Sequence, residues 1–147
     1  MSNQILKQNI ESLNKQLKWL ERSFNICKSI GIKDSYRETE LDNFETLSGR
    51  FARSIDFLVR KVFRSLDDIE FEPQGTLIDT VNNAHKRNLI NDINIFNSIR
   101  DLRNEIVHEY LEENLIDNFD ELLKLTPELI DVINKTIKYA NRYISNE

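Results

Sequence analysis

Leu6, Ile10, Leu13, Leu17, Leu20, Phe24, Cys27 and Ile30 recur at alternating steps of three and four, which predicts one apolar stripe along an α-helix. Gly31 follows the stripe and suits the left-handed residue that closes many helices. After a polar turn over Lys33 to Tyr36, a second stripe runs through Leu41, Phe44, Leu47, Phe51, Ile55, Leu58, Val62, Leu66 and Ile69. It predicts a second long helix, within which Gly49 marks close packing or a weak point.

Pro73, Gln74 and Gly75 form the clearest break in the chain. Thr76 then reads as an N-cap with acidic Asp79 three positions on, opening a third helix from about Leu77 to Arg87. Asp92 can cap a fourth, which carries Ile95, Phe96, Ile99, Leu102, Ile106 and Val107 before an acidic stretch, Glu109 to Asp117, weakens the pattern. A last helical region holds Phe119, Leu122, Leu123, Leu129, Ile130, Ile133, Ile137, Ala140 and Ile144. Thr126-Pro127 interrupts it, since Thr can cap and Pro suits a first helical position, so the region reads as two helices or one kinked one.

Composition agrees with this reading. The 147 residues include only 3 Gly and 2 Pro, too few to punctuate many hairpins. The expectation is an all-α antiparallel bundle of five or six helices, two of them long, forming one domain over residues 1–147. The single cysteine, Cys27, rules out an internal disulfide framework and sits on the first apolar stripe as core filler. The start Met1-Ser2-Asn3-Gln4 lacks the order of a secretory signal, and no apolar run is long enough to span a membrane. A reducing cytoplasm is the expected setting.

The formal net charge is -5, but its distribution matters more than its sum. From Arg50 to Arg64 there are five basic residues against the single Asp56, whereas Glu109 to Asp131 carries eight acids against Lys124.

One charged residue breaks the apolar pattern of the fourth helix. Phe96, Ile99 and Val107 fall within about 40° of Arg103 on a helical projection, so this arginine lies inside the apolar stripe. A guanidinium there needs a partner or a job. In one reading its stem packs on the core while its head reaches a carboxylate. In the other it works with His108, five positions on, which can serve as general base or acid, and with Asn104 beside it. Arginine, histidine and a neutral hydrogen-bonding group are what RNA cleavage without a metal requires. The histidine handles the proton of the ribose 2′-OH or of the leaving 5′-oxygen, and the arginine holds the phosphate. A five-residue step rotates about 140°, however, so the two side chains converge only if the helix ends between them or if two copies line one groove. Tyr110 returns to within about 20° of Arg103.

The run Arg103-Asn104-Glu105-Ile106-Val107-His108-Glu109-Tyr110 resembles the RNase motif of HEPN-domain toxins, an Arg and a His four to six residues apart with a polar residue after the Arg. The longer Arg-x4-His-x-Tyr looks like the toxin of HEPN/MNT toxin-antitoxin pairs, related to the nucleotidyltransferase substrate-binding proteins. The resemblance implies a four-helix up-and-down core and a homodimer whose motif helices meet at a composite cleft. It also implies metal-independent endoribonuclease activity on an RNA such as tRNA. Arg103 and His108 would be the catalytic pair supported by Asn104, and Tyr110 would be the residue that a minimal nucleotidyltransferase antitoxin modifies with AMP. The alternative within the same resemblance is a catalytically inactive subunit that docks on the nucleotidyltransferase.

Arg50, Arg53, Arg60 and Arg64 project from the second helix roughly opposite its apolar positions, and with Arg100 they are the candidate phosphate contacts for RNA. His85, near the end of the third helix, reads as a partner of the helix dipole. With no Cys/His cluster, Gly-rich phosphate loop or Ser-His-Asp arrangement in the sequence, neither a metal nor a cofactor is expected.

Overall fold

The computed structural model describes residues 2–108 and 112–144, and every regular element among them is helical. Helix α1 spans Ser2–Ile30 and α2 spans Glu38–Phe57, continued by a π-helical segment Leu58–Phe63 and by α3, Arg64–Ile69. Four further helices follow: α4 (Leu77–Lys86), α5 (Ile93–His108), α6 (Glu112–Asp117) and α7 (Phe119–Ile144). Helix α1 lies against α2 and α7, and α5 packs on the same two helices.

Local chemistry sets the end of α1 and the starts of α4 and α5. Gly31 takes φ 72°, and its N–H donates to the Cys27 carbonyl at 2.9 Å, closing α1. At the start of α4 the Asp79 N–H donates to Thr76 Oγ1 while the Asp79 carboxylate accepts from the Thr76 N–H, the reciprocal box its spacing predicts. Asp92 Oδ1 accepts from the backbone N–H groups of Asn94 and Ile95 at 2.9 and 3.4 Å.

The structure corrects the expectation at two places. The long second helix is not uniformly α, because six residues in its middle form i→i+5 turns. Residues 119–144, expected as two helices or one kinked one, form a single helix with Pro127 inside it; the two-helix alternative falls, and the fold has three long rods rather than two. Thr126 does not cap there; its buried hydroxyl donates back to the Leu122 carbonyl at 2.6 Å.

The core is continuous from Leu6 on α1 through Phe44, Phe51 and Phe63 to Phe96, Phe119 and Ile133. Phe44 and Phe119 stack at 3.9 Å between centroids with Tyr36 edge-on to both, joining the starts of α2 and α7. Cys27 is fully buried within this core, and burial pushes its thiol up to about 12, in keeping with a packing role.

A polar cluster crosses the other end of the bundle. Arg87, just past α4, donates from Nη2 to Asp67 and from Nε to Glu70, both at 2.7 Å, and its side chain is 6% exposed. The hydroxyls of Tyr139 and Tyr143 on α7 both donate to the other oxygen of Glu70. Burial pushes the Glu70 carboxyl up, but the two tyrosine hydroxyls and Arg87 together outweigh it and hold the group below its ordinary value. For Asp67 burial wins, and its carboxyl is raised.

These opposite shifts have opposite linkage. The stability that Glu70 contributes is present above its unfolded value and is lost as pH falls through its lower folded value. The Tm gap between the native protein and Glu70→Gln is therefore expected to narrow between about pH 6 and about pH 3 in a thermal melt series. A gap constant over that range would contradict the role assigned to Glu70. Asp67 is common to both proteins, so its opposite slope largely cancels in the comparison.

Candidate functional site

Helix α5 faces α2 with buried Phe96, Ile99 and Leu102, and Arg103 continues that face at its margin. Its guanidinium meets Asp56, near the end of α2, as a two-pronged pair: Nε to Oδ1 and Nη2 to Oδ2, each at 2.8 Å. Nη1 also donates to Asn104 Oδ1 at 3.2 Å. The head of Arg103 thus does reach a carboxylate, but at the surface: the side chains are 26% and 36% exposed. Among the described residues these bonds use three of the guanidinium's five N–H groups, leaving one on each terminal nitrogen.

The pair lies in a cavity of about 110 Å3, whose charged side chains are Asp56, Arg60, Arg100 and Arg103. Ile55, Val59 and Leu77 line its apolar side. Three guanidinium groups against one carboxylate make this a cationic concavity in a protein of net charge -5. Arg60 comes from the π segment, Arg100 and Arg103 from consecutive turns of α5.

The arginines of the second helix do not act as one stripe. Arg60 joins the Arg103 cavity, whereas Arg50 and Arg53 line a separate cleft against Gln16 and Trp19 of α1. In an uninterrupted α-helix Arg53 and Arg60 would project within about 20° of each other. The π segment, with its wider i→i+5 turns, breaks that register. Arg64 joins neither cavity, and its Nε is buried with no hydrogen-bond partner among the described residues.

His108 is exposed and is the last residue of α5, so helix runs unbroken from Arg103 to it. The first of the two routes to convergence, a helix end between them, is therefore closed. Within one protomer the two side chains diverge by about 140°. Tyr110 lies outside the described residues. His85 occupies the last turn of α4 and is exposed, away from the Arg103 cavity lining.

Asp56 is the site residue that the reading of the sequence did not single out, although its isolation among five basic residues is the signal that marks it. Among the described residues no group of three or more His, Cys, Asp or Glu side chains is placed to hold a metal ion, and no helix is long and apolar enough to cross a membrane. No family model, curated protein or solved structure matches the chain.

Proposed function

We propose that the chain is a metal-independent endoribonuclease of the HEPN toxin type, acting as a homodimer in which Arg103 of one copy works with His108 of the other. The observation that carries this reading is the placement of Arg103 among Arg60, Arg100 and Asn104 in a cationic concavity, with Asp56 fixing its orientation and two N–H groups left for a ligand. A phosphodiester fits that chemistry. His108 takes the proton of the ribose 2′-OH, the 2′-oxygen attacks phosphorus, and the bond to the 5′-oxygen breaks. The leaving oxygen takes a proton from water, and Arg103 stabilises the charge that builds on the phosphoryl oxygens. The products are a 2′,3′-cyclic phosphate and a 5′-hydroxyl.

Within the same proposal, a minimal nucleotidyltransferase silences the protein by adding AMP to Tyr110, seven residues from Arg103, where the added anion competes with RNA for the arginines. A structured RNA such as tRNA is the proposed substrate and the cytoplasm the proposed setting.

Incubation of the purified protein with total tRNA in EDTA is expected to yield fragments with 2′,3′-cyclic phosphate ends. Fragments that appear only on adding a divalent metal, or that end in 3′-hydroxyl groups, would contradict the mechanism. One observation favours a second reading, an inactive subunit that docks on the nucleotidyltransferase: the prongs Nε and Nη2 of Arg103 are already engaged by Asp56. That reading predicts no growth arrest when the chain is expressed alone and no cleavage in EDTA.

A further inference from the structure

The chain's one tryptophan stands in an unusual place. Trp19 on α1 is 47% exposed, and three cations approach its ring: Arg50 at 5.1 Å, Arg22 at 5.9 Å and Lys18 at 6.0 Å from the centroid. Arg50 is held there by hydrogen bonds from Nη1 to Ser23 Oγ at 2.6 Å and to the Trp19 carbonyl at 3.2 Å. Arg53, one turn along α2, has its guanidinium folded over Gly49, where an added Cβ would lie 3.2 Å from Nη1. Among the described residues neither Arg50 nor Arg53 forms an ion pair with an acid.

Between the two helices lies a cleft of about 190 Å3 lined by Gln16, Trp19, Arg50, Arg53 and Ser54. Gln16, which lines the cleft, has its Oε1 buried with no hydrogen-bond partner among the described residues. An aromatic face, a free amide group and guanidinium groups without acids are the parts with which proteins hold single strands: bases stack, and phosphates meet the cations.

We infer that the Trp19 cleft is a docking site for single-stranded RNA, with a base stacked on the indole beside Gln16 and with Arg50 and Arg53 on the flanking phosphates. The occupant follows from charge. A neutral protein surface laid here would have to desolvate the cations around the ring without compensation, whereas a polyanion neutralises them. The inference deepens the nuclease reading by naming how substrate is held away from the cut. Arg53 and Arg60 stand about 10 Å apart along the helix axis.

Because Trp19 is the only tryptophan, its fluorescence reports the cleft alone. The probe is a single-stranded 2′-O-methyl oligoribonucleotide, which offers no 2′-hydroxyl and cannot be cut by the proposed chemistry. Titration is expected to quench the fluorescence saturably. By anisotropy of the labelled oligonucleotide, Trp19→Leu is expected to weaken binding roughly ten- to a hundredfold. Arg53→Gln, at an exposed position, keeps Trp19 and is expected to weaken binding and lower the slope of log affinity against log salt by about 0.7.

Unchanged fluorescence, unchanged affinity in both variants, or equal quenching by a fully duplex RNA whose bases are not offered would overturn the inference. So would fluorescence that responds to protein concentration and not to RNA, which would assign the face to a second copy. The outcome is separable from that of the nuclease reading. Quenching without any cleavage of unmodified RNA upholds the docking site and removes the nuclease, and cleavage with an unresponsive Trp19 does the reverse.

Discussion

Arg103→Ala is expected to reduce RNA cleavage by about 10²- to 10³-fold, the loss typical when a group that stabilises transition-state charge is removed. His108→Ala is expected to cost about 10²- to 10⁴-fold, as for loss of a general base. The decisive feature is the contrast with stability. The Arg103–Asp56 pair is two-pronged but part-exposed, so breaking it costs no more than about 1 kcal/mol of folding free energy. Asp56→Asn separates the roles further. It keeps Arg103 but loosens its orientation, so its activity should fall between those of the native protein and Arg103→Ala, measured on the same RNA in EDTA. Were Arg103 purely structural, Asp56→Asn and Arg103→Ala would lower the Tm alike and neither would change RNA cleavage.

The largest expected effect on stability lies elsewhere, at Arg87. Its side chain is 6% exposed and neutralises both Asp67 and Glu70, and Glu70 in turn holds two tyrosines of α7. Removing one partner of a buried pair leaves uncompensated charge, which typically costs about 3–5 kcal/mol. Arg87→Ala is therefore expected to lower the midpoint of urea unfolding by that equivalent, a large share of a small domain's stability. The control is Arg53→Ala at an exposed position, expected to change stability by no more than about 0.5 kcal/mol. Equal effects of the two substitutions would contradict the assignment of Arg87 as the tie between α3, α4 and α7.

How far each of these features could be read from the sequence follows from the distance over which it is determined. Gly31, the Thr76 and Asp79 box and Asp92 were legible because each end is made by bonds within three or four residues. The apolar stripes were legible for the same reason, since period 3.6 is a local property. The Asp56 to Arg103 pair spans 47 positions, and the Glu70 to Tyr139 and Tyr143 bonds span 69 and 73. No local pattern encodes such meetings. In the arginine's case the pattern showed only that Arg103 needed a partner.

The π segment was hidden differently. Leu58, Val62 and Leu66 keep a spacing of four that any α-helix would show, so nothing marked the wider turns that separate Arg53 from Arg60. Pro127 was misleading in the opposite sense: its chemistry signals a helix start, but tertiary packing of Leu122, Leu125, Leu129 and Val132 on the core carries the helix through it.

The unbroken helix from Arg103 to His108 carries the strongest consequence for the proposed mechanism, because if the two residues serve one site they must come from different copies. The most direct measurement is cleavage by a heterodimer of Arg103→Ala and His108→Ala, co-expressed with two tags and purified through both. One of its two sites then holds both native residues, so about half the native activity per dimer is expected although each variant alone has lost about 10²-fold or more. A verified heterodimer no more active than either parent would contradict the shared site.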